Sequence, residues 1–428
     1  MSISGLSHWL QRVVLDDEFR NRVKSDLRAT LREFDLTDEE KEFLLKPSGE
    51  KFAGLSASKS FLTISCVRPQ IIRPIYLVEP GPKPPPSQTA IYGGPSGLAA
   101  YEHFSGRASK STRVQGGATN TDASTGRPTR AEIETMVSQY IPETQLTERT
   151  MVPTFSKLDP ADIYIVGLGM GSADQVTREV DRVLQESEQV LFVDPSIGMQ
   201  EYLSKRCSNV TDLSTLYQEG KNRLQTYKEM ATVVIEAAMS NPPVTLALYG
   251  HPTVFAYPPF IIRSVANQLG LKVKVLPGVS AMDCILAELM IDPANEGLQM
   301  FEASDLLMRR RRLSTDMQTL IWQVGSLETG LYSTMTNRPE RFGRFLDYLL
   351  EYYPSYHEVT AVFCSSHPAV PSTIFTFFLK DLLAVAEELH GGYTLFLPPT
   401  HCAPVLDHSF AAKLESQAHL QEITRPKE

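Results

Sequence analysis

The chain has 428 residues, of which 42% are apolar and 21% are charged, and its formal net charge is −9. This composition is typical of a soluble protein of two or three domains, and the negative charge argues against a nucleic-acid partner, which needs a basic surface. No run of eighteen apolar residues is present, so we expect no membrane span, and the N-terminus lacks a basic and then apolar segment, so we expect no signal peptide. The five cysteines include no Cys-x-x-Cys pair. We therefore expect a cytoplasmic protein without a metal site.

Residues 1–55 are predicted to form a small all-α domain. Apolar residues recur every four positions in its first half, which places them on one helical face. These residues are Phe19, Val23, Leu27 and Leu31. Thr37 followed by Glu40 is a capping-box pattern that predicts the start of a second helix. So small a domain has little core of its own, and we expect it to pack on another surface.

Residues 56–158 are predicted to be an extended, flexible linker rich in Pro and Gly. Between 81 and 130 more than half of the residues are Gly, Pro, Ser or Thr, a composition that buries too little apolar surface to offset the entropy of ordering. The segment 61–80 is apolar but interrupted by Pro69 and Pro74. It is either a strand at the edge of a sheet or a peptide that enters an active site, and the residues alone leave both interpretations open.

From about residue 160 onward, strand patterns alternate with helical patterns, which indicates an α/β fold. Strands are predicted at 163–167, 190–194, 244–249, 272–276, 319–324, 359–364, 372–378 and 393–397. Helices are predicted at 173–188, 221–240, 257–269, 280–290, 342–353 and 380–389.

Four short motifs lie within this α/β region, at 167–171, 217–227, 248–255 and 276–281. The first, Gly-Leu-Gly-Met-Gly, allows the backbone to turn tightly and to approach a ligand closely. Alone it is a weak signal, because many tight turns use glycines. In this order and spacing, the set resembles the tetrapyrrole-methylase-like S-adenosylmethionine (SAM) methyltransferases. The segment 217–227 resembles the borosin peptide backbone α-N-methyltransferases in particular.

The resemblance implies an architecture. The related enzymes have two consecutive α/β/α subdomains with SAM between them, which we place at 159–278 and 279–405, followed by a tail at 406–428. The N-terminal domain is similar to the LigA-like precursor-recognition domains of borosin systems. Fused borosin enzymes are interlocked homodimers, so we expect a homodimer in which one subunit's helical domain lies on the partner's catalytic domain.

The resemblance also implies the cofactor contacts. The residues expected to bind SAM are Gly167, Leu168, Gly169, Tyr249, His251, Val254, Phe255, Ser280, Ala281, Gln323 and Thr394. We interpret His251 as a loop or cofactor-packing residue and not as a general base. Just before Thr394, the chain is one residue shorter than the family pattern.

A peptide nitrogen is a poor nucleophile, because its lone pair is delocalised into the carbonyl group. Its methylation needs a base for the amide proton and donors for the carbonyl oxygen. Arg223 and Tyr227 are four positions apart on a predicted helix and therefore share a face, which also fits a solvated surface with a stacking contact. By resemblance, Arg223 and Tyr217 bind the carbonyl oxygen, Tyr227 accepts the proton, and Tyr249 lies where methyl donor and peptide meet. Ser214 stands where the family often has another tyrosine.

Three functions remain open from the sequence. The leading hypothesis is SAM-dependent α-N-methylation of a ribosomal peptide, either a segment of this chain or a separate precursor. The first alternative is methylation of a tetrapyrrole such as a precorrin. The second is a non-catalytic peptide-binding protein that retains SAM.

Overall fold

The computed structural model describes residues 5–45, 127–140 and 160–425. The segment 61–80, considered above as a peptide substrate, lies outside the described residues. Within them, no helix is both long and apolar enough to cross a bilayer.

The N-terminal unit consists of helices that are shorter than the sequence predicts. They are α1 (Gly5–Leu15), α2 (Asp17–Ser25), α3 (Leu27–Leu31) and α4 (Asp38–Leu45). The predicted helix over residues 19–31 is divided because Asp16 and Asp26 each begin a new helix as its N-cap. Asp16 accepts from the backbone N–H of Phe19 at 2.8 Å, and Asp26 accepts from that of Ala29 at 2.9 Å. All four predicted face residues still pack in one hydrophobic cluster.

The capping box that opens α4 is confirmed. The backbone N–H of Glu40 donates to Thr37 Oγ1 at 3.1 Å, and the backbone N–H of Thr37 donates to a Glu40 carboxylate oxygen at 2.8 Å. These two bonds satisfy donors that the first turn of a helix would leave without partners.

The helical unit packs on the α/β unit of its own chain. Val370 is buried in the helical unit's hydrophobic cluster, and Ile197 packs against the same cluster. His367 Nε2 donates to the Leu10 carbonyl at 3.1 Å, and Arg20 pairs with Asp174 at 2.9 Å. The surface that the small domain needs is therefore supplied in cis, and its small core is no argument for a dimer.

The first sheet is parallel throughout, with strand order β3-β2-β4-β1-β5. Its strands are β1 (Ile163–Gly167), β2 (Gln189–Val193), β3 (Val210–Asp212), β4 (Val244–Leu248) and β5 (Val273–Leu276). Every residue of β4 is buried, as expected of a parallel strand covered on both faces. The helices in this region are α5 (Arg130–Ser138), α6 (Arg178–Glu186), α7 (Met199–Ser204), α8 (Arg223–Ser240) and α9 (Pro258–Gln268).

Helix α5 corrects the prediction that residues 56–158 are linker throughout. Ile133 and Val137 are four positions apart, are each 1% exposed, and lie in the same hydrophobic cluster as the core face of α8. Arg130 also pairs with Glu236 of α8 at 3.0 Å. Residues 130–138 of the predicted linker are therefore part of the folded α/β unit.

The second sheet has the order β6-β7-β10-β8-β9, in which β6 and β7 are parallel and the remaining pairs are antiparallel. Its strands are β6 (Leu298–Glu302), β7 (Gln318–Trp322), β8 (Glu358–Phe363), β9 (Thr373–Phe378) and β10 (Thr394–Leu397). The remaining helices are α10 (Ala281–Leu289), α11 (Pro293–Glu296), α12 (Ala303–Arg309), α13 (Gly343–Leu350), α14 (His408–Lys413) and α15 (Gln417–Ile423).

The helix predicted at 380–389 is wrong. The chain there forms a 3₁₀ turn at Leu379–Asp381 and then successive turns. These turns are closed by hydrogen bonds between residues three positions apart, such as Ala384 N–H to Asp381 O at 2.9 Å. Burial of Leu382, Ala386 and Leu389 against the second sheet fits this tighter path as well as it would fit a helix.

The first sheet presents a crevice at the carboxyl ends of its strands. β1 and β4 are neighbours in the middle of this sheet. After β1 the chain crosses to β2 on one side of the pair, and after β4 it crosses to β5 on the other side, so the strand order reverses between them. Ligands of open α/β sheets bind at such a point. The second sheet closes on this region, because Phe255, in the loop after β4, packs with Trp322 at the end of β7.

Candidate cofactor and catalytic site

Three loops meet at the carboxyl end of the first sheet through glycines. A Cβ atom on Gly167 would lie 2.4 Å from Gly250 O and 2.8 Å from Gly278 Cα, and one on Gly278 would lie 2.5 Å from Gly250 O. Gly169 and Gly250 form a backbone bridge, with Gly250 N–H donating to Gly169 O at 2.7 Å. Only residues without side chains permit this close approach.

The side chain of Gln175 stabilises the glycine loop by hydrogen bonds to its backbone. Its Oε1 accepts bonds from the backbone N–H groups of Met170 at 2.6 Å and Gly171 at 2.8 Å. Gly169 has φ +82°, and a Cβ there would lie 2.4 Å from Gln175 Cβ. Gln175 was not predicted from the sequence. Its signal was a polar side chain four residues beyond Gly171, close enough along the chain to bond to the glycine loop.

The wall contributed by the second sheet fits an adenosyl group. The ring of Phe255 lies 5.0 Å from that of Trp322, and both Phe255 and Gln323 have positive φ values, 54° and 59°. Among the described residues, the buried Trp322 Nε1 and Gln323 Oε1 have no hydrogen-bond partner. A buried donor and acceptor of this kind require a partner, and the edge of a purine offers both kinds of group.

Other predicted cofactor residues have partners within the protein. Ser280 caps α10, and its Oγ donates to Asp283 at 2.7 Å. His251 Nδ1 accepts from Thr253 N–H at 3.2 Å, and burial lowers the pKa of His251. This geometry agrees with the interpretation of His251 as a loop residue that stays neutral.

The remaining predicted contacts divide between loop and core. Val254 lies in the turn after His251, with its N–H bonded to the His251 carbonyl at 3.1 Å, and Ala281 is the first residue of α10. Thr394 is buried at the start of β10. Leu168 packs with its side chain in the hydrophobic core beside the first sheet, and its N–H donates to Leu248 O at 2.8 Å, so both groups of Leu168 are already in use within the protein.

The predicted catalytic residues of the first subdomain lie together. Arg223 and Tyr227 occupy the first two turns of α8 and are 3% and 0% exposed, and the Tyr217 ring lies edge-on to that of Tyr227 at 6.4 Å. The alternative interpretation, a solvated helix face, is therefore wrong. Tyr249 packs against the same hydrophobic cluster, just after β4, where its N–H donates to Val193 O at 3.1 Å.

Arg223 is fixed by backbone groups of the second subdomain. Its Nη2 donates to Thr329 O at 2.6 Å, and its own N–H donates to Gly330 O at 3.1 Å. Burial lowers the pKa of Arg223, an effect that the nearby Tyr227, Glu302 and Tyr217 oppose. Arginine remains protonated under such conditions, so the cluster contains a buried cation.

Two residues of this cluster were not predicted. Glu302 ends β6 and accepts from the Asp305 N–H at 2.6 Å, and its negative charge opposes the effect of burial on Arg223. The Tyr332 ring lies 4.9 Å from that of Tyr217. Ser214, at the position of the family's additional tyrosine, instead donates its backbone N–H and its hydroxyl to Asp212, each at 2.8 Å, and Asp212 thereby caps the 3₁₀ turn Leu213–Leu216.

Comparison with known proteins shows what this chain is similar to. The family model of the Tetrapyrrole (Corrin/Porphyrin) Methylases matches residues 162–366. The matched residues make up just under half of the chain, and they include both sheets up to β8. The match confirms the predicted fold class.

Curated relatives confirm the resemblance to borosin-type methyltransferases. The methyltransferase/gymnopeptides precursor gymMA1 of Gymnopus fusipes is 32% identical over 241 residues, 55% of this chain and 57% of the relative. The methyltransferase/omphalotin A precursor ophMA of Omphalotus olearius is 29% identical over 58% of this chain and 60% of the relative. The type I borosin precursor gjuMa of Gymnopilus junonius is 32% identical over 63% of this chain and 64% of the relative. The match thus spans about three fifths of these relatives.

Proposed function

We propose that the chain is a SAM-dependent α-N-methyltransferase of peptide backbone amides, with the cofactor held between subdomains 159–278 and 279–405. The observation that carries the proposal is the burial of Arg223 and Tyr227 together on one face of α8, with Tyr217 against them. The relatives, which are described as methyltransferases and ribosomally synthesised cyclic-peptide precursors, support a peptide substrate.

The chemistry requires charge to move on the substrate amide. Bound SAM supplies an electrophilic methyl group. Arg223 donates hydrogen bonds to the carbonyl oxygen, so that negative charge building there is stabilised as the amide proton leaves. Tyr227, close to this cation, accepts the proton, because a neighbouring positive charge favours the ionised phenol. Tyr217 adds a donor at the same oxygen.

The walls of the site support this chemistry. Tyr227 lies within a hydrophobic cluster against which Tyr249 also packs. A site of this kind excludes water and strengthens the field that Arg223 exerts on the amide. Tetrapyrrole methylation is the alternative that the family name favours, but it gives no reason for a buried arginine between two tyrosines.

We propose that the N-terminal helices hold the peptide precursor. They cap the edge of the α/β unit beside the glycine loop, since Arg20 of α2 pairs with Asp174, the neighbour of Gln175. The acceptor is either the segment 61–80 of this chain or a separate precursor.

We also propose a homodimer. The segment 405–423, which contains α14 and α15, exposes six apolar side chains that a second copy would cover. They are Val405, Leu406, Phe410, Leu414, Leu420 and Ile423, each between 55% and 88% exposed. Light scattering at micromolar concentration is expected to give twice 47.7 kDa, and a 47.7 kDa species alone would contradict it.

Tyr227→Phe tests the proposed reaction, because it removes a hydroxyl and leaves the ring in place. Methyl transfer should fall by about 10²-fold or more, the scale of general acid–base catalysis, with SAM affinity unchanged. Tyr353→Phe is the matched control, since Tyr353 is also a buried tyrosine and its hydroxyl lies 3.1 Å from Thr319 Oγ1 in the second subdomain. Equal turnover by the two variants would refute the role of Tyr227.

A further inference from the structure

A segment of the second subdomain lies across the catalytic residues of the first. This segment, Thr329–Thr334, is called the strap, and it runs antiparallel to residues 219–223. Gly220 N–H donates to Tyr332 O at 2.8 Å, and Tyr332 N–H donates to Lys221 O at 2.8 Å. The backbone of the strap is therefore hydrogen-bonded to the loop that precedes α8.

The strap contacts both residues that the proposed reaction places at the carbonyl oxygen. The Tyr332 ring packs on the Tyr217 ring with centroids 4.9 Å apart and planes inclined by 38°. Thr329 O accepts from Arg223 Nη2 at 2.6 Å, and Gly330 O accepts from Arg223 N–H at 3.1 Å.

Burial along the strap follows the same two contacts. Between residues 328 and 336, only Thr329 and Tyr332 are partly buried, and the others are exposed. Leu331 and Met335 are 46% and 74% exposed, so this stretch buries little in the core of its own subdomain. Its hydrogen bonds and ring contact join it to residues 217–223 of the first subdomain, and they include the bonds of Thr334 N–H and Oγ1 to Glu219 at 2.9 and 3.1 Å. So many bonds to the other subdomain are unexpected for a loop that merely connects two elements.

We propose that Tyr332 is a positioning residue for the methyl transfer, which holds Tyr217 through its ring while the strap backbone holds Arg223. Tyr217 follows a short 3₁₀ turn and precedes an irregular loop, so its backbone belongs to no long helix or strand and its ring is placed by the neighbouring rings of Tyr227 and Tyr332. An inclined aromatic pair is stabilised beyond the area that it buries, which favours one orientation of the Tyr217 ring. Misplacement of a group that binds the reacting carbonyl by about 1 Å costs on the order of 10²-fold in rate. This inference rests on the proposed function, and it names a residue of the second subdomain that sets the geometry of the first.

The test compares Tyr332→Ala with Tyr332→Phe. Tyr332→Ala should lower kcat for methyl transfer about 10-fold with SAM affinity unchanged, and Tyr332→Phe, which keeps the ring, should recover most of that loss. Tyr352→Ala is the matched control, because Tyr352 is also partly buried and pairs with one tyrosine ring, at 5.4 Å, away from the site.

Amide hydrogen exchange supplies a readout that needs no turnover. Tyr332→Ala should speed exchange at Gly220 and Arg223, whose N–H groups bond to the strap, and Tyr352→Ala should not. Unchanged exchange and unchanged kcat in Tyr332→Ala would overturn the inference, as would equal losses in Tyr332→Ala and Tyr352→Ala. A wild type that methylates no peptide would refute the proposed function, while the exchange comparison would still decide whether the strap holds Tyr217 and Arg223.

Discussion

The two sheets of this molecule contribute differently to one site. The first is parallel and presents the carboxyl ends of its strands, where the glycine loops and the Arg223–Tyr227 pair lie. The second is mixed, and it supplies Trp322, Gln323 and the strap. Under the proposed function, the first subdomain carries the reacting groups, and the second fixes them and completes the cofactor site.

The largest effect should come from Arg223, where the two regions meet. Arg223→Ala removes the donor to the carbonyl oxygen and should lower kcat by on the order of 10²-fold or more, as does loss of other oxyanion donors. Arg344→Ala is the control, since Arg344 is an exposed arginine of the second subdomain that pairs with Glu328 at 3.4 Å. Similar turnover by both variants would assign the reacting groups elsewhere.

The glycine loop provides the next contrast. Gly169→Ala should weaken SAM binding about 10-fold in calorimetry, because the new Cβ meets Gln175 at 2.4 Å in addition to straining a φ of +82°. Gly270→Ala has a similar φ of +71° with nothing within 4 Å, so it should cost about 1 kcal/mol of stability and leave SAM affinity unchanged. Equal affinities in the two variants would show that the loop does not approach the cofactor.

A third prediction concerns the carboxyl end of β2. Burial raises the pKa of Asp194 to about 6, from 3.8, partly offset by its hydrogen bonds to Ser196. Because the folded protein then binds more protons than the unfolded chain, this group's contribution to stability falls as pH rises from about 4 to 6. Asp194→Asn keeps the acceptor for Ser196 N–H and should raise Tm at pH 7, with little effect at pH 4. A Tm difference between the two proteins that is independent of pH would contradict this.

The smallest effect is expected where the helical unit meets the α/β unit. Asp174→Asn removes the pairing with Arg20, whose guanidinium also donates to the Val13 and Val14 carbonyls at 2.7 and 2.6 Å. Because the pair is largely exposed on the Asp174 side, the free energy of unfolding should change by less than about 1 kcal/mol, and less still in high salt. A larger loss in chemical denaturation would mean that this contact holds the two units together.

The sequence predicts four of the five strands of each sheet, and the two strands that it misses are β3 and β6. β1 and β4 are continuous apolar runs, because both faces of a central parallel strand are covered, and their predicted bounds agree within one residue. β3 has three residues, and β6 is only partly buried, so neither has a distinct pattern. The turns at 380–389 have helical spacing in the sequence, and tertiary packing determines their path.

The site divides in the same way. The proximity of Arg223 and Tyr227 follows from helical periodicity, so the sequence alone predicts it. The contact of Tyr332 with Tyr217 joins residues 115 positions apart, and no local pattern contains it. Motifs therefore predict the groups proposed to react, whereas the groups that hold them require the fold.

The most direct test of the account is tandem mass spectrometry after incubation of the purified chain with SAM, alone and with a synthetic peptide of residues 61–80. A parallel reaction contains a precorrin-type tetrapyrrole. The account predicts mass increments of one methyl group on backbone nitrogens of the peptide segment, absent at Pro69 and Pro74, which have no N–H. Methylation of the tetrapyrrole with unmodified peptide nitrogens would contradict it.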